Sequence, residues 1–258
     1  MSRIEPVFAK GHKALIGYVT CGYPDIKATP RIVSALAASG CDIIELGIPF
    51  SDPLADGATI QKSSYESLQS GTTPTACLDT ASQLKDKIKA PLCFMTYYNP
   101  VLNYGLDKFC KDSRDAGISG LIVPDLPPEE SSELESLTKK YSLDLIYFLA
   151  PTSTEARIKQ AASKARGFLY LVSLTGVTGA RKYLSAGLEG FVKSIRRFSG
   201  SVPLCVGFGI STAEQAKRVA AAADGVIVGS KLIQLMDEDP SLKSLKRFVS
   251  SLREAIDS

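Results

Sequence analysis

The chain has 258 residues, 45% apolar and 22% charged, with six Cys, a single His and no Trp. This is an ordinary globular composition, and its length suits one large domain or two small ones, with an α/β barrel running to about 250 residues. A net charge of +3, with no apolar run near the roughly 18 residues of a membrane span, argues against a nucleic-acid or membrane protein, and Met1 to Lys13 lacks the apolar core of a signal peptide.

A cytoplasmic location is therefore expected. The lone His12 disfavours a Ser–His–Asp triad and cannot build a multi-His metal site. The cysteines, at 21, 41, 77, 93, 110 and 205, form no C-x-x-C pair and read as buried reduced thiols. Chemistry in this chain should rest on carboxylates, hydroxyls and backbone amides.

In chain order, eight short β-rich runs are expected, at Ala14–Val19, Asp42–Leu46, Leu92–Tyr97, Gly120–Pro124, Leu145–Leu149, Phe168–Val172, Pro203–Gly207 and Asp224–Gly229. Their apolar residues are continuous rather than alternating, which suggests strands buried on both faces of a parallel sheet. Helix punctuation lies between them. Thr29-Pro30 reads as a cap with Pro in the first turn, and Thr152 with Glu155 and Ser211 with Glu214 read as capping boxes. Apolar stripes run from Leu188 to Phe198 and from Leu245 to Ile256, as core-facing helices require. Eight strand–helix repeats without a dividing linker predict a single (β/α)8 TIM-barrel domain over residues 1–258. A doubly wound sheet competes, but the first strand leads into Gly22-Tyr23-Pro24 rather than a G-x-G-x-x-G turn.

Two connections are long. About 45 residues separate strands two and three, enough for an extra helix around Ile60 to Ser70. After strand six, Ser173 to Gly187 is rich in Gly, Ser and Thr and reads as a lid loop. Both leave the strand ends where barrel active sites are built.

Glu45 stands inside the apolar run Ile43-Ile44-Glu45-Leu46. A buried, unpaired carboxyl there would have a raised pKa and could both give and take a proton near neutrality; a strand-end Glu bound by amides or facing solvent is the alternative. Asp52 and Asp56 lie on the loop that follows. Asp52, before Pro, reads as turn chemistry, whereas Asp56 reads either way. Gly207-Phe208-Gly209 after strand seven and Gly229-Ser230 after strand eight both lead into helices, a pattern suited to holding a phosphate on backbone amides.

These segments closely resemble the tryptophan synthase alpha subunit family over nearly the whole chain. The most specific is Glu45-Leu-Gly-Ile-Pro-Phe-Ser-Asp-Pro-Leu-Ala-Asp56-Gly57. It is supported by Thr20-Cys-Gly-Tyr-Pro-Asp25, Tyr97-Tyr-Asn-Pro100, Pro124-Asp-Leu-Pro127, Gly176-Val-Thr-Gly179 and Gly207-Phe-Gly-Ile-Ser211. The resemblance implies a TIM-barrel lyase that cleaves indole-3-glycerol phosphate to indole and glyceraldehyde 3-phosphate. It also implies an alpha2beta2 heterotetramer whose beta subunit carries pyridoxal phosphate and receives the indole, with no cofactor in the alpha chain itself.

By the same resemblance the catalytic residues are Glu45, the general acid–base, Asp56, which accepts the hydrogen bond and eventually the proton of the indole nitrogen, and Tyr170, which lines the site near the catalytic carboxylate. Tyr18, Tyr97 and Leu126 would line the indole pocket or its approach. Gly179, Gly209, Gly229 and Ser230, with backbone from Phe208, would hold phosphate, and Thr178 would close a lid over the Asp56 loop. Pro127 to Glu130 and the segment from Asp52 would face the beta subunit. The chain departs from the family pattern at Ala58, where Pro is usual, and at Leu174, where Arg is common. Two other readings remain: a subunit that only activates its partner, and another phosphate-binding barrel enzyme such as an isomerase.

Overall fold

A computed structural model describes residues 2–172, 184–207 and 209–258. Eight parallel strands close into a barrel in chain order, β1-β2-β3-β4-β5-β6-β7-β8. They are β1 Ala14–Thr20, β2 Ile43–Gly47, β3 Leu92–Met95, β4 Ile118–Ile122, β5 Asp144–Leu149, β6 Leu169–Val172, β7 Leu204–Gly207 and β8 Gly225–Val228. Each expected run is present, with ends moved by at most a few residues. Nearly every strand residue is buried, as the continuous apolar runs require when one face lines the barrel and the other meets helices.

Around the barrel lie α1 Thr29–Ala38, α2 Ala58–Gln69, α3 Pro74–Leu84, α4 Tyr98–Tyr104, α5 Leu106–Asp115, α6 Ser132–Lys140, α7 Glu155–Lys164, α8 Leu184–Ser199, α9 Ala213–Ala222, α10 Ser230–Glu238 and α11 Lys243–Asp257. The extra helix after β2 is α2. The two predicted stripes are the buried faces of α8 and α11, carried by Leu188, Val192 and Ile195 and by Leu245, Val249, Leu252 and Ile256. No helix among the described residues is long and apolar enough to cross a membrane.

The caps differ from expectation by one or two residues. Thr154, not Thr152, caps α7 by accepting from Arg157 N at 3.3 Å, and Thr212, not Ser211, caps α9 through Gln215 N at 3.2 Å. Where Ser and Thr cluster, each competes for the same orphan amides, and the residue nearer the helix has the shorter reach. Thr29 is not a cap: its hydroxyl accepts from Gly22 N at 3.0 Å, and Asp25 takes Lys27 N and Ala28 N instead, both at 2.9 Å. Of the lid expected over Ser173–Gly187, residues 184–187 are instead the first turn of α8, and residues 173–183, with Leu174, Thr178 and Gly179, lie outside the described residues.

The N-terminal end of the barrel is plugged. A short 3-10 segment, Glu5–Gly11, seats the fully buried Ile4 together with Val7 and Phe8 against the inner cluster of Ile16, Ile43, Ile122, Ile146 and Phe168. Asp144, at the start of β5 and fully buried, accepts from the Ser2 hydroxyl and lies 3.6 Å from Arg166 Nε. The only histidine is at this end too, with His12 Nε2 3.0 Å from Asp42 Oδ1. All six cysteines are buried and free. Sealing one end leaves the other, at the strand C-termini, to open into solvent.

Candidate active site

At the strand C-termini a cavity of about 860 Å³ opens, lined by Tyr18, Asp56, Leu126, Tyr170, Gly209, Gly229 and Ser230 among others. That volume suits a small-molecule ligand. Seven residues singled out from sequence thus meet in one place. Met95, Phe148, Val172 and Ile227 add an apolar wall; nothing in their patterning separates them from ordinary core residues. Phe208 lies outside the described residues.

Glu45 is fully buried on β2 and has no hydrogen-bond partner for either carboxylate oxygen among the described residues. Burial alone pushes its pKa up to about 8, because a lone carboxylate in low dielectric costs far more than the neutral acid. Glu45 is therefore protonated at neutral pH, yet within reach of ionisation. Its strand neighbours are Tyr18 on β1 and Cys93 on β3, which offer no cation to offset its charge.

Asp56 is held differently. Its Oδ2 accepts from the Tyr97 hydroxyl at 3.1 Å, and the same Tyr97 oxygen accepts from Ala55 N at 2.9 Å. Gln61 Nε2 donates to the Asp56 carbonyl at 2.8 Å, tying the loop to the first turn of α2. Burial raises the Asp56 pKa to about 6 against the lowering effect of Tyr97, so this carboxyl is largely ionised at pH 7. Tyr97 packs against Phe50 in a tilted pair, 5.2 Å between ring centroids, and braces the loop through its hydroxyl. Two carboxyls whose environments set them on opposite sides of neutrality suit one acid and one base.

Two tyrosines close the floor. A Cβ on Gly47 would come within 2.2 Å of the Tyr18 hydroxyl, and one on Gly207 within 2.6 Å of the Tyr170 hydroxyl. Glycine at the ends of β2 and β7 is what lets each phenol lie down across the barrel. Tyr170 stacks on Phe148 at 4.4 Å. Burial, followed by the charges of Glu45 and Asp56, holds the Tyr170 phenol well above its ordinary value, so it stays neutral.

At the end of β8, on the other side of β1 from Glu45, Gly229 is the N-cap of α10 and offers no side chain to its first-turn amides. Gly209 has φ +57°, and a Cβ there would meet nothing within 4 Å. Free amides at a helix start, with open space beside a glycine turn, are able to hold an anion without Lys or Arg. Asp52 is exposed and accepts from Ser51 Oγ at 2.5 Å, in keeping with turn chemistry.

Sequence reasoning missed Gln61 as the tie of the Asp56 loop, and Asp125, whose carboxylate accepts from Tyr98 N at 2.9 and 3.1 Å to start α4. The signal for Gln61 was present, five residues beyond Asp56; Asp125 acts from another loop and leaves no local trace. Among the described residues no group of three or more His, Cys, Asp or Glu is placed to hold a metal ion.

A family model described as "Tryptophan synthase alpha chain" matches residues 5–256. The tryptophan synthase alpha chain of Dehalococcoides mccartyi is 54% identical over 257 residues, covering both chains completely, and that of Geobacter sulfurreducens is 47% identical with 99% of each covered. Among solved structures, a tryptophan synthase from M. tuberculosis superposes with a TM-score of 0.90 at 36% identity, covering 99% of each chain. The alpha chain from Legionella pneumophila gives 0.90 at 35%, covering 100% of this chain and 98% of that one.

Proposed function

The chain belongs to the tryptophan synthase alpha chain family, and from that premise we propose how its own residues perform the family's reaction. The protein is a lyase that cleaves indole-3-glycerol phosphate to indole and glyceraldehyde 3-phosphate in tryptophan biosynthesis. Its partner is the beta subunit, and pyridoxal phosphate belongs to that beta chain.

The observation that carries the assignment of roles is the pair of carboxyls split across neutrality, Glu45 up to about 8 and Asp56 at about 6. Protonated Glu45 gives its proton to indole C3. Positive charge then develops at the ring nitrogen, where ionised Asp56 accepts the N–H hydrogen bond and stabilises it. Glu45, now a carboxylate, takes the proton of the carbinol next to the ring. The carbon–carbon bond breaks, its electron pair restores the aromatic ring, and the carbinol becomes the aldehyde. Tyr170 and Leu126 pack the ring, Tyr97 holds Asp56, and the amides at Gly209, Gly229 and Ser230 hold the phosphate. Roles for Thr178, Gly179 and Phe208 are part of the same reading by family match.

The barrel is read as one domain over residues 1–258, and as the alpha half of an alpha2beta2 assembly. The loop from Asp52, whose Leu54 is 94% exposed, and Pro127 to Glu130 are the proposed beta-facing surface. A cytoplasmic location is supported by six unpaired cysteines, as a reducing compartment leaves them. The test is indole release from indole-3-glycerol phosphate, with and without the beta subunit. Turnover that rises with the partner is expected; tryptophan formation by the beta subunit with no indole-glycerol cleavage would leave only an activator.

A further inference from the structure

Tyr18 carries a hydrogen-bonded chain that leads away from the cavity. Its hydroxyl lies 3.3 Å from Thr20 Oγ1, which lies 2.7 Å from Ser63 Oγ, and Ser63 donates to the Ile60 carbonyl at 2.9 Å. Thr20 is 1% exposed and Ser63 fully buried, so water does not compete for these groups.

The end of the chain fixes its direction. A carbonyl only accepts, so the order that makes the most bonds puts the Ser63 proton on Ile60, with Ser63 accepting from Thr20 and Thr20 from Tyr18. The reverse order would leave the Ser63 and Ile60 oxygens facing each other at hydrogen-bond distance without a proton, and would make one bond fewer. The Tyr18 proton is thus committed inward, and its phenol oxygen presents only lone pairs to the cavity. Burial, and then the charge of Asp56, outweigh the lowering effect of the Thr20 hydrogen bond and hold this phenol far above its ordinary range, so it remains neutral.

Its place along the cavity is equally defined. Tyr18 pairs in register with Glu45 on one side. On the other, Gly17 pairs with Val228, and a Cβ on Gly229 would lie 3.3 Å from Tyr18 Cδ1. Around the barrel the order is therefore Gly229, Tyr18, Glu45 and then the loop carrying Asp56. The substrate has the matching order: phosphate ester, second hydroxyl, reacting carbinol, indole.

We propose that the Tyr18 oxygen, polarised by Thr20 and Ser63, accepts a hydrogen bond from the non-reacting hydroxyl of the substrate and selects for its presence. Thr20 and Ser63 are positioning residues in this arrangement. The inference rests on the lyase reading given above.

The test compares kcat/KM for indole-3-glycerol phosphate with that for the analogue lacking only the hydroxyl nearer the phosphate, in the full chain with its beta subunit. Tyr18→Phe is expected to lower the ratio of the two values about 3- to 10-fold, mainly through KM for the hydroxylated substrate, since a contact to a non-reacting group binds ground and transition states alike. Thr20→Val keeps the volume and frees the phenol proton, and is expected to lower the ratio about 2-fold. A merely structural role would weaken both substrates equally and leave the ratio unchanged in both variants, which would overturn the proposal. Failure of the wild type to release indole would instead overturn the lyase reading.

Discussion

Each end of the barrel contains a buried, inward carboxyl, and the two are treated in opposite ways. Asp144 at the N-terminal end accepts from Ser2 and lies beside Arg166. Glu45, toward the C-terminal end, has no partner for either oxygen among the described residues. Burial raises both, but at Asp144 Ser2 and Arg166 pull the pKa back, whereas at Glu45 nothing does. The partnered carboxyl fastens the N-terminal plug. The unpartnered one keeps a proton at a cost to stability, which is the proton that the proposed mechanism gives to the substrate.

The sharpest way to break this contrast is Glu45→Gln. Cleavage of indole-3-glycerol phosphate is expected to fall by about 10² to 10⁴, the usual weight of a general acid–base. The same change should stabilise the fold at high pH. Between the ordinary carboxylate range and pH 8 the folded state keeps a proton that the unfolded chain has released, so wild-type stability falls as pH rises through that window and levels off above it. Removing the titrating group, less the cost of burying an unpaired amide, should give a net gain of about 2–4 kcal/mol at pH 9 and little gain at pH 4, measured by urea unfolding.

Tyr97→Phe comes next. It removes the donor to Asp56 and the acceptor of Ala55 N, and should cost about tenfold in kcat/KM. Because Tyr97 holds the Asp56 pKa down, its loss should also move the acidic limb of the pH–rate profile upward from about 6. A limb that stays in place would mean that Tyr97 only packs.

At the other end, Ser2→Ala removes the donor to Asp144 and the acceptor of Ile4 N and Glu5 N, at 3.1 and 3.0 Å. A loss of about 1–2 kcal/mol in unfolding free energy is expected, with kcat/KM and its pH profile unchanged. The smallest effect belongs to Ala58, the first residue of α2. Proline at that position lacks only an amide that the helix leaves free, so Ala58→Pro should stabilise by about 0.4–1 kcal/mol through the unfolded chain, again by urea unfolding.

The strands and the buried, unpartnered Glu45 carboxyl were legible because their signals are local. A Glu inside an apolar run is a cost visible without coordinates, and so is a glycine turn at a helix start. Capping was legible only to within two residues, since Thr152, Ser153 and Thr154 are alike until geometry chooses among them. Helix α4 was hidden by Pro100, which falls in its first turn where proline is tolerated, and by a cap lent from Asp125 on another loop. The brace of Asp56 by Tyr97, 41 residues away, and the chain from Tyr18 to Ser63 depend on distances that only the closed barrel sets.

The central claim is that Glu45 is held protonated at neutral pH, and difference infrared titration of wild type against Glu45→Gln reads that proton directly. A protonated-carboxyl band that disappears with a midpoint near pH 8 is the result predicted. A midpoint in the ordinary carboxylate range, near 4.5, would mean that the folded protein solvates or pairs this group, and would contradict the account.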